Sequence, residues 1–193
     1  MKENKILFEF IVFDCCYMLT LKNMLQFQGL THYILGCQSA SPNLGFLSPG
    51  LSGAFVDRST TLKTLKVIAD AFIDRNDENP HRELEHFTDA GILDLTCIPL
   101  LTKSLNGVTL HRHVRARTEQ KDAENPWSYK DLLDLHSTVK LDKSVSAQKK
   151  NEILRQLDRI VVYYRQSKLL KEKSWSSRLH GLSIVLKHKE VKF

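Results

Sequence analysis

The sequence predicts a mainly α-helical protein, an irregular bundle of five or six helices. Three observations lead to this prediction. Residues 146–173 carry apolar side chains at helical spacing for about five turns. Residues 60–75 and 175–187 repeat that spacing over shorter lengths. A composition of 42% hydrophobic and 26% charged residues is that of a globular chain, so we expect a packed core. The sequence also allows two β elements, a small one near the N-terminus and a hairpin at Asn106-Gly107.

The first apolar run, Ile6–Phe13, is rich in β-branched and aromatic residues, which favours a buried strand. The run could equally begin a helix that continues to Phe27, because periodicity alone does not separate the two. Glu9 and Asp14 interrupt it, so it does not resemble a signal peptide. It is also too short to span a bilayer, and we expect no transmembrane segment.

Residues 36–56 collect Gly, Ser and Pro and predict a loop or linker. We therefore expect residues 1–35 to form an N-terminal apolar segment or small lobe. Residues 57–193 would form a helical domain with a basic C-terminal quarter.

Two helix starts are predicted in the middle of the chain. Ser59 can cap a helix over residues 60–75. Asn79-Pro80 is a second start signal, since proline is tolerated in the first turn, and this helix would end near Gly91.

Asn106-Gly107 allows two structures. The pair could form a type I′ turn that joins strands 98–105 and 108–117 into a hairpin. Alternatively, Pro99 opens a short helix that Gly107 ends. The residues before the pair alternate poorly between apolar and polar, which favours the helix.

Three further helices are predicted towards the C-terminus. Ser128 and Asp131 resemble a capping box that opens a helix through Leu132–Leu135. The long stretch 146–173 follows, and its apolar stripe slips after Tyr164. We therefore expect a break near residues 166–168, or a second packing partner for Leu169 and Leu170, which if exposed would bind a protein partner. A last helix is predicted over residues 175–187.

The net charge of +6 is distributed unevenly. Residues 140–193 contain 14 Lys and Arg against 5 Asp and Glu, whereas residues 1–139 contain 14 against 17. A basic segment of this kind binds nucleic acid, acidic membrane surfaces or acidic proteins. The residues with the fewest acidic neighbours are the candidates for such a partner: Lys168, Lys171, Lys173, Arg178, Lys187 and Lys189.

A second candidate anion site lies in residues 108–117. If this segment is extended, one face carries His111, His113, Arg115 and Arg117. Arginine on such a face would bind a phosphorylated ligand, with histidine as a pH-dependent partner.

The four cysteines include one adjacent pair, Cys15-Cys16, and no C-x-x-C motif. They suit a reducing, cytoplasmic environment better than a disulfide framework. His81 and His86 are five residues apart, so a helix would not place both on one face for zinc. We therefore expect no metal and no cofactor.

Residues Phe13 to Thr20 follow an apolar run and resemble the first motif of haloacid dehalogenase-type phosphatases. The resemblance implies that Asp14 is a nucleophile. Cys16 stands where that family has a second acidic residue, and Tyr17 where it has a glycine. No later glycine–aspartate pair completes the motif.

No intact catalytic motif is present, so we assign no catalytic residues and favour a protein without catalytic activity. The sequence thus predicts an intracellular helical protein that acts through interaction with another protein. Nucleic-acid or anionic-lipid binding by the basic quarter is the first alternative. An enzyme or binder of a phosphorylated ligand, using the face at residues 111–117, is the second.

Overall fold

The computed structural model describes residues 6–39, 45–46, 60–78, 88–113, 131–172, 176–185 and 189–193. The strands are β1 Phe8–Val12, β2 Thr31–Gly36, β3 Asp89–Asp94, β4 Thr109–His111, β5 Leu132–Asp134, β6 Val161–Gln166, β7 Ser183–Val185 and β8 Glu190–Lys192. The helices are α1 Leu21–Phe27, α2 Thr61–Glu78, α3 Ile98–Leu105, α4 Leu135–Leu141, α5 Ala147–Ile160 and α6 Lys168–Lys171. This is an α/β fold, so the prediction of a mainly helical bundle is wrong.

The central sheet has four strands in the order β1-β2-β3-β6. β1 and β2 run parallel, with Phe10 opposite Tyr33 and Val12 opposite Leu35. β3 is antiparallel to β2 and to β6. Because β1 and β2 are parallel, the residues that follow each of them meet at one edge of the sheet.

Side chains that alternate along the strands divide the core into two clusters. Ile34 and Leu93 join one cluster with buried residues of α1, α3, α4 and α5. Leu35 and Ile92, their neighbours in sequence, join the other cluster with Leu65, Phe72 and further residues of α2. The sheet is thus covered on both faces, as its apolar strands require.

Two short ribbons lie outside this sheet. β4 pairs with β8, and β5 pairs with β7, both antiparallel. The amide of Ser183 in β7 also donates to the carbonyl of Leu19, at 2.8 Å, which joins the second ribbon to the segment after β1.

The helix predicted over residues 146–173 is correct only in its first half. Ser146 caps α5 by accepting a hydrogen bond from the amide of Lys149, and Ile153, Leu157 and Ile160 are buried as the pattern requires. The helix then ends at Ile160. Residues 161–166 form a strand because Val-Val-Tyr-Tyr is a β-favouring run that pairs with β3. Helix α6, with its N-cap at Ser167, begins where the break was expected.

Several other expectations need correction. Residues 89–94 form a strand, so no helix ends near Gly91. Residues 132–134 are also a strand, and Asp134 caps the helix that follows. The last predicted helix is replaced, in its described part, by a 3₁₀ turn and strand β7.

Other predictions are confirmed. The first apolar run forms a strand, β1, rather than the start of a helix, although Phe8 and Glu9 are exposed and the strand is not buried as expected. Helix α2 covers the predicted 60–75 region, and Leu65, Ile68, Phe72 and Ile73 are buried there. Pro99 lies in the first turn of α3, and Gly107 follows with a positive φ, so the helical alternative at Asn106-Gly107 is correct.

Most of the predicted linker, and with it the division at residues 36–56, falls outside the described residues and stays a prediction. In the part of the chain that the structure describes, no helix is long and apolar enough to cross a membrane.

Candidate active site

The edge of the sheet where β1 and β2 end collects polar residues. Asp14-Cys15-Cys16 follows β1, and Cys37-Gln38-Ser39 follows β2. In α/β sheets, ligands bind beyond the carboxyl ends of the parallel strands. We call residues 14–17 the cysteine turn and residues 37–39 the clamp segment.

The cysteine turn exposes two thiols on a constrained backbone. Cys15 and Cys16 are both exposed. Tyr17 follows with φ +58°, the one left-handed non-glycine residue among those described. Its amide donates to the carbonyl of Ser39 at 2.9 Å, and the amide of Leu19 donates to that of Cys37 at 3.2 Å. Side chains rarely adopt this φ unless the surroundings hold them, and such residues cluster at functional sites.

Asp14 is exposed but held in place. Its Oδ1 accepts a 3.1 Å hydrogen bond from the amide of Phe46. The Phe46 ring is buried and stacks on Phe72 of α2, with centroids 4.0 Å apart. Gly45 has φ +59°, and the carboxylate of Asp14 occupies the space that a Cβ would need there. Arg75 donates to the carbonyl of Gly45. These contacts hold the carboxylate in place, and Asp14 precedes Cys16 by two residues in the sequence.

Asp89, the first residue of β3, lies beneath the clamp segment and is fully buried. Oδ1 accepts from the amide of Gln38 at 2.7 Å, and Oδ2 accepts from the amide of Ser39 at 3.1 Å. The hydroxyl of Tyr164 donates to Oδ2 at 3.0 Å. Burial raises the pKa of Asp89 to about 6, although these hydrogen bonds favour the charged form.

Gln38 ties the clamp segment to the β5–β7 ribbon. Its Nε2 donates to Asp134 Oδ2 at 2.8 Å and to Ser183 Oγ at 2.9 Å. Its Oε1 accepts from the amide of Gly181 at 2.8 Å. The side chain is fully buried with all three groups paired, which fixes the clamp segment against the β5–β7 ribbon.

The family model described as "Peptidase_C11: Clostripain family" matches residues 3–191. The chain belongs to the clostripain family. No curated protein matches the sequence.

Solved structures share the fold. An inactive zymogen C11 protease from Parabacteroides distasonis is 17% identical with a TM-score of 0.71, over 96% of this chain and 54% of that one. A clostripain from Bacteroides thetaiotaomicron, in complex with the peptide inhibitor BTN-VLTK-AOMK, is 17% identical with a TM-score of 0.69, over 95% and 81%. A B. fragilis cysteine protease is 12% identical with a TM-score of 0.66, over 94% and 79%. The chain thus spans about half the length of the zymogen.

Membership of a peptidase family overturns the functional expectations. The prediction of a non-catalytic interaction protein is wrong, because the family is a peptidase family. Binding of nucleic acid, an acidic membrane surface or a phosphorylated ligand is a separate property, and it stays a prediction. The haloacid dehalogenase resemblance drew attention to the correct turn but to a different family. Sequence reasoning did not assign Cys15 or Cys16 a role. The available signal was a pair of cysteines directly after a β-branched apolar run.

One cluster in the clostripain-family chain has the composition of a metal site. Ligand atoms of Asp134, His136 and His180 lie within 4.8 Å of one another. Both oxygens of Asp134 already accept hydrogen bonds, from Ser137, Gln38 and His180. Nδ1 of His180 faces two acceptors, Asp134 Oδ1 at 3.0 Å and the carbonyl of Arg178 at 2.8 Å, so it carries a proton. These atoms are engaged in capping α4 and do not require an ion.

In the same cluster, the pKa values of His136 and His180 are shifted in opposite directions. Burial alone would lower the pKa of His180, but the hydrogen bond and charge of Asp134 outweigh it and raise that pKa. Burial lowers the pKa of His136, as does His180, on which its ring stacks at 4.0 Å. His180 therefore takes up a proton before His136. Both rings line a cavity of about 260 Å³ with Asp158, Tyr164 and four apolar residues.

The predicted face at residues 111–117 is only partly described. β4 is a strand, as the anion-site alternative required, and Leu110 is buried. His111 Nδ1 lies 3.1 Å from Asp142 Oδ2, and His111 Nε2 lies 3.5 Å from Glu190. His113 Nε2 lies 4.0 Å from Asp142. The histidines thus face carboxylates. Arg115 and Arg117 lie outside the described residues, and anion binding by this face stays a prediction.

The basic and apolar candidates of the C-terminal quarter do not converge with the cysteine turn. Lys168, Lys171 and Lys189 are exposed, and Arg178 is half-buried. Lys173 and Lys187 lie outside the described residues. Leu170 is fully buried beside Leu179 and Tyr164, so it belongs to the core rather than to a partner surface. Leu169 is half-buried, and its role in partner binding stays a prediction.

Proposed function

We propose that this chain carries the nucleophile of a cysteine peptidase, with the thiol of Cys16 attacking the carbonyl carbon of a basic residue in a peptide. The observation that carries the proposal is the exposed cysteine pair at the carboxyl end of β1, in a chain of a peptidase family. The constrained backbone around Tyr17 supports it, because a nucleophile must be held in place before substrate binds.

The backbone around the cysteine turn favours Cys16 over Cys15. Phe10 and Val12 pack on the α2 face of the sheet, and the carboxylate of Asp14 continues that side by contacting Gly45 and Phe46. Ile11 and Phe13 pack on the opposite face. Residues 15–17 form a turn, so this alternation ends before them; we assign the role to Cys16 because it directly precedes Tyr17, whose left-handed backbone is held by the carbonyl of Ser39.

The carboxylate of Asp14 supports specificity for a basic residue. It is exposed and oriented, so a lysine or arginine side chain of a peptide would form a charge-assisted hydrogen bond with it. The peptide part of the inhibitor bound to the B. thetaiotaomicron clostripain, VLTK, ends in lysine. A substrate lysine whose side chain binds Asp14 would place its own carbonyl carbon near the thiol of Cys16, which is two residues after Asp14 in this chain.

The reaction follows from thiol chemistry. The Cys16 thiolate adds to the scissile carbonyl carbon, and the tetrahedral species collapses to a thioester as the amine leaves with a proton. Water then attacks the thioester, releasing the carboxylic acid and restoring the thiol. A general base within hydrogen-bond reach removes the thiol proton and later delivers a proton to the amine.

The position of that base is also inferred. The five described histidines have partners of their own: His32 contacts Glu9, His111 and His113 contact Asp142, and His136 stacks on His180, which contacts Asp134. Among the described strands, β1 has a hydrogen-bonded neighbour on one side alone, and Ile6, Leu7 and Phe8 are 67%, 51% and 52% exposed there. We infer that a part of the protein beyond the described residues supplies the base.

A set of fluorogenic peptides tests the function. The peptides differ only in having Lys, Arg, Glu or Ala before the scissile bond. We expect hydrolysis after Lys and Arg, a loss of at least about 10³-fold in kcat for Cys16→Ser, and near-normal rates for Cys15→Ser. Asp14→Asn should lower kcat/KM for the Lys peptide about 10- to 100-fold and leave any turnover of the Ala peptide unchanged. Unaltered hydrolysis by Cys16→Ser would overturn the proposal.

The predicted protein partner becomes, under this proposal, a peptide or protein substrate. The predicted cytoplasmic, reducing location stays a prediction. None of the four cysteines is in a disulfide, which suits a reactive thiol.

A further inference from the structure

We propose that Asp89 is a positioning residue of this site: its carboxylate holds the clamp segment, and through it the backbone of the cysteine turn. The inference rests on the proposed function for its catalytic meaning, but its structural part can be tested without any activity. Asp89 is 73 residues from Cys16 in sequence, and it reaches the turn because β3 begins at the edge where β1 and β2 end.

The clamp segment acts as a relay because its two sides have different partners. Its amides, those of Gln38 and Ser39, donate to the buried carboxylate of Asp89 at 2.7 and 3.1 Å. Its carbonyls, those of Cys37 and Ser39, accept from the amides of Leu19 and Tyr17. The amides that Asp89 fixes therefore belong to the same short segment that holds Tyr17 in its left-handed conformation.

A carboxylate suits this position better than a neutral group. Four donors converge on it: the two amides of the clamp segment, the side chain of Ser39 and the hydroxyl of Tyr164. A carboxylate offers acceptors alone, whereas a protonated acid or an amide side chain would direct a donor at one of these groups. A buried donor that faces another donor destabilises the arrangement by leaving both groups unpaired.

Protonation of Asp89 should therefore loosen the cysteine turn. Burial raises the pKa of Asp89 to about 6, so the neutral form becomes populated just below neutral pH. The ionisable groups around it are Tyr164 on β6, Cys37 in the clamp segment, and Asp134 with its partner His180, reached through Gln38. The pKa of Tyr164 is raised well above its ordinary value by burial and by Asp89, so Tyr164 stays a donor throughout this range.

The chain offers a matched control on the same strand. The neighbouring Tyr163 hydroxyl donates to Asp70 of α2 at 2.5 Å, and Asp70 also pairs with Arg165. This second tyrosine–aspartate pair lies on the other face of β6 and has no described contact with the clamp segment. Asp70→Asn therefore makes the same chemical change without touching the relay.

The test is amide hydrogen–deuterium exchange of the full chain, read by mass spectrometry on peptides covering residues 13–20 and corrected for intrinsic exchange rates. Asp89→Asn should speed exchange at Tyr17 and Leu19 about 10-fold or more at pH 7, and Asp70→Asn should not. In wild type, protection of these amides should fall as the pH drops through 6, and this pH dependence should be absent in Asp89→Asn. Wild-type protection of Tyr17 and Leu19 in folded Asp89→Asn would overturn the proposal.

Tyr164→Phe keeps the proposal testable if Asp89→Asn does not fold. Removing the hydroxyl donor takes away one hydrogen bond that stabilises the carboxylate, so the pH at which protection falls should move upward. An unmoved transition in Tyr164→Phe would contradict the role of Asp89.

Peptide hydrolysis supplies the catalytic readout. Asp89→Asn should lower kcat with KM changed less than about two-fold, and the acidic limb of kcat/KM near pH 6 should disappear. A chain that hydrolyses no peptide, yet shows the expected exchange behaviour, would refute the proposed function and retain the structural role of Asp89. If the chain hydrolyses peptides but Asp89→Asn keeps the acidic limb, the result would support the proposed function and refute the role of Asp89.

Discussion

The amide of Phe46 donates a 3.1 Å hydrogen bond to Oδ1 of Asp14, two residues before the exposed thiol of Cys16. The carboxylate is thus oriented by a backbone group whose own side chain is buried against α2. Gly45 makes this approach possible, because its missing Cβ leaves room for the carboxylate.

Gly45→Ala should therefore damage both stability and specificity. An alanine at φ +59° is strained by about 1–2 kcal/mol, and its Cβ would overlap Asp14. We expect a loss of about 2 kcal/mol in the free energy of unfolding, measured in urea, and a loss of preference for Lys peptides. Gly29→Ala is the control, since Gly29 has a similar φ and an open Cβ position. Equal effects of both variants on peptide preference would contradict the role given to Asp14.

Gln38→Leu should destabilise the protein more than any exposed glutamine variant. The leucine would leave the Gly181 amide and the Ser183 hydroxyl without their partner and remove one donor from Asp134. Leaving buried polar groups unpaired costs about 2–4 kcal/mol. Chemical denaturation measures this, with Gln148→Leu on the exposed face of α5 expected within about 0.5 kcal/mol of wild type. A loss below about 1 kcal/mol for Gln38→Leu would contradict the network.

Asp142 should contribute stability that is lost in acid. Burial alone would raise its pKa, but hydrogen bonds from the amide of His111 and from Ser144 outweigh it and lower the pKa to about 2. A group with a lowered pKa stabilises the fold above about pH 4, and the contribution disappears as the pH falls towards 2. Asp142→Asn should lose about 1.5–3 kcal/mol at pH 7 and less at pH 3.

The control for this prediction is Asp131→Asn. Asp131 pairs with Arg112 at the surface, at 2.9 Å, and an exposed pair contributes at most about 1 kcal/mol. Denaturation curves collected between pH 3 and 7 give the comparison. A constant loss for Asp142→Asn across that range would contradict the pKa assignment.

Local sequence signals predicted individual elements better than their assembly. The apolar spacing correctly predicted α2 and the first half of the 146–173 stretch, because helical periodicity is a local property. The change from α5 to β6 at Ile160–Val161 is not visible in the apolar pattern. The first apolar residues of β6 happen to continue the helical spacing of α5, so the two elements look like one helix. Only pairing with β3 distinguishes the two, and pairing is a long-range property.

The candidate site was beyond sequence reasoning for a related reason. Cys16, Ser39 and Asp89 come from three separate stretches, and the sheet topology alone brings them to one edge. The adjacent cysteines Cys15 and Cys16 can be read from the sequence. Nothing in the sequence shows, however, that β1 ends just before them or that the turn is exposed. Asp14 was noticed for a different chemistry, because the pattern around it resembles that of a phosphatase motif.

The most direct test of the central claim is covalent labelling of the thiol that attacks. The protein is treated with an irreversible, thiol-reactive peptide ending in lysine, and the modified residue is located by tandem mass spectrometry. We predict modification at Cys16, its loss in Cys16→Ser, its slowing by about 10- to 100-fold in Asp14→Asn, and its persistence in Cys15→Ser. Modification at Cys15, or equal modification by a matched peptide ending in glutamate, would contradict the account.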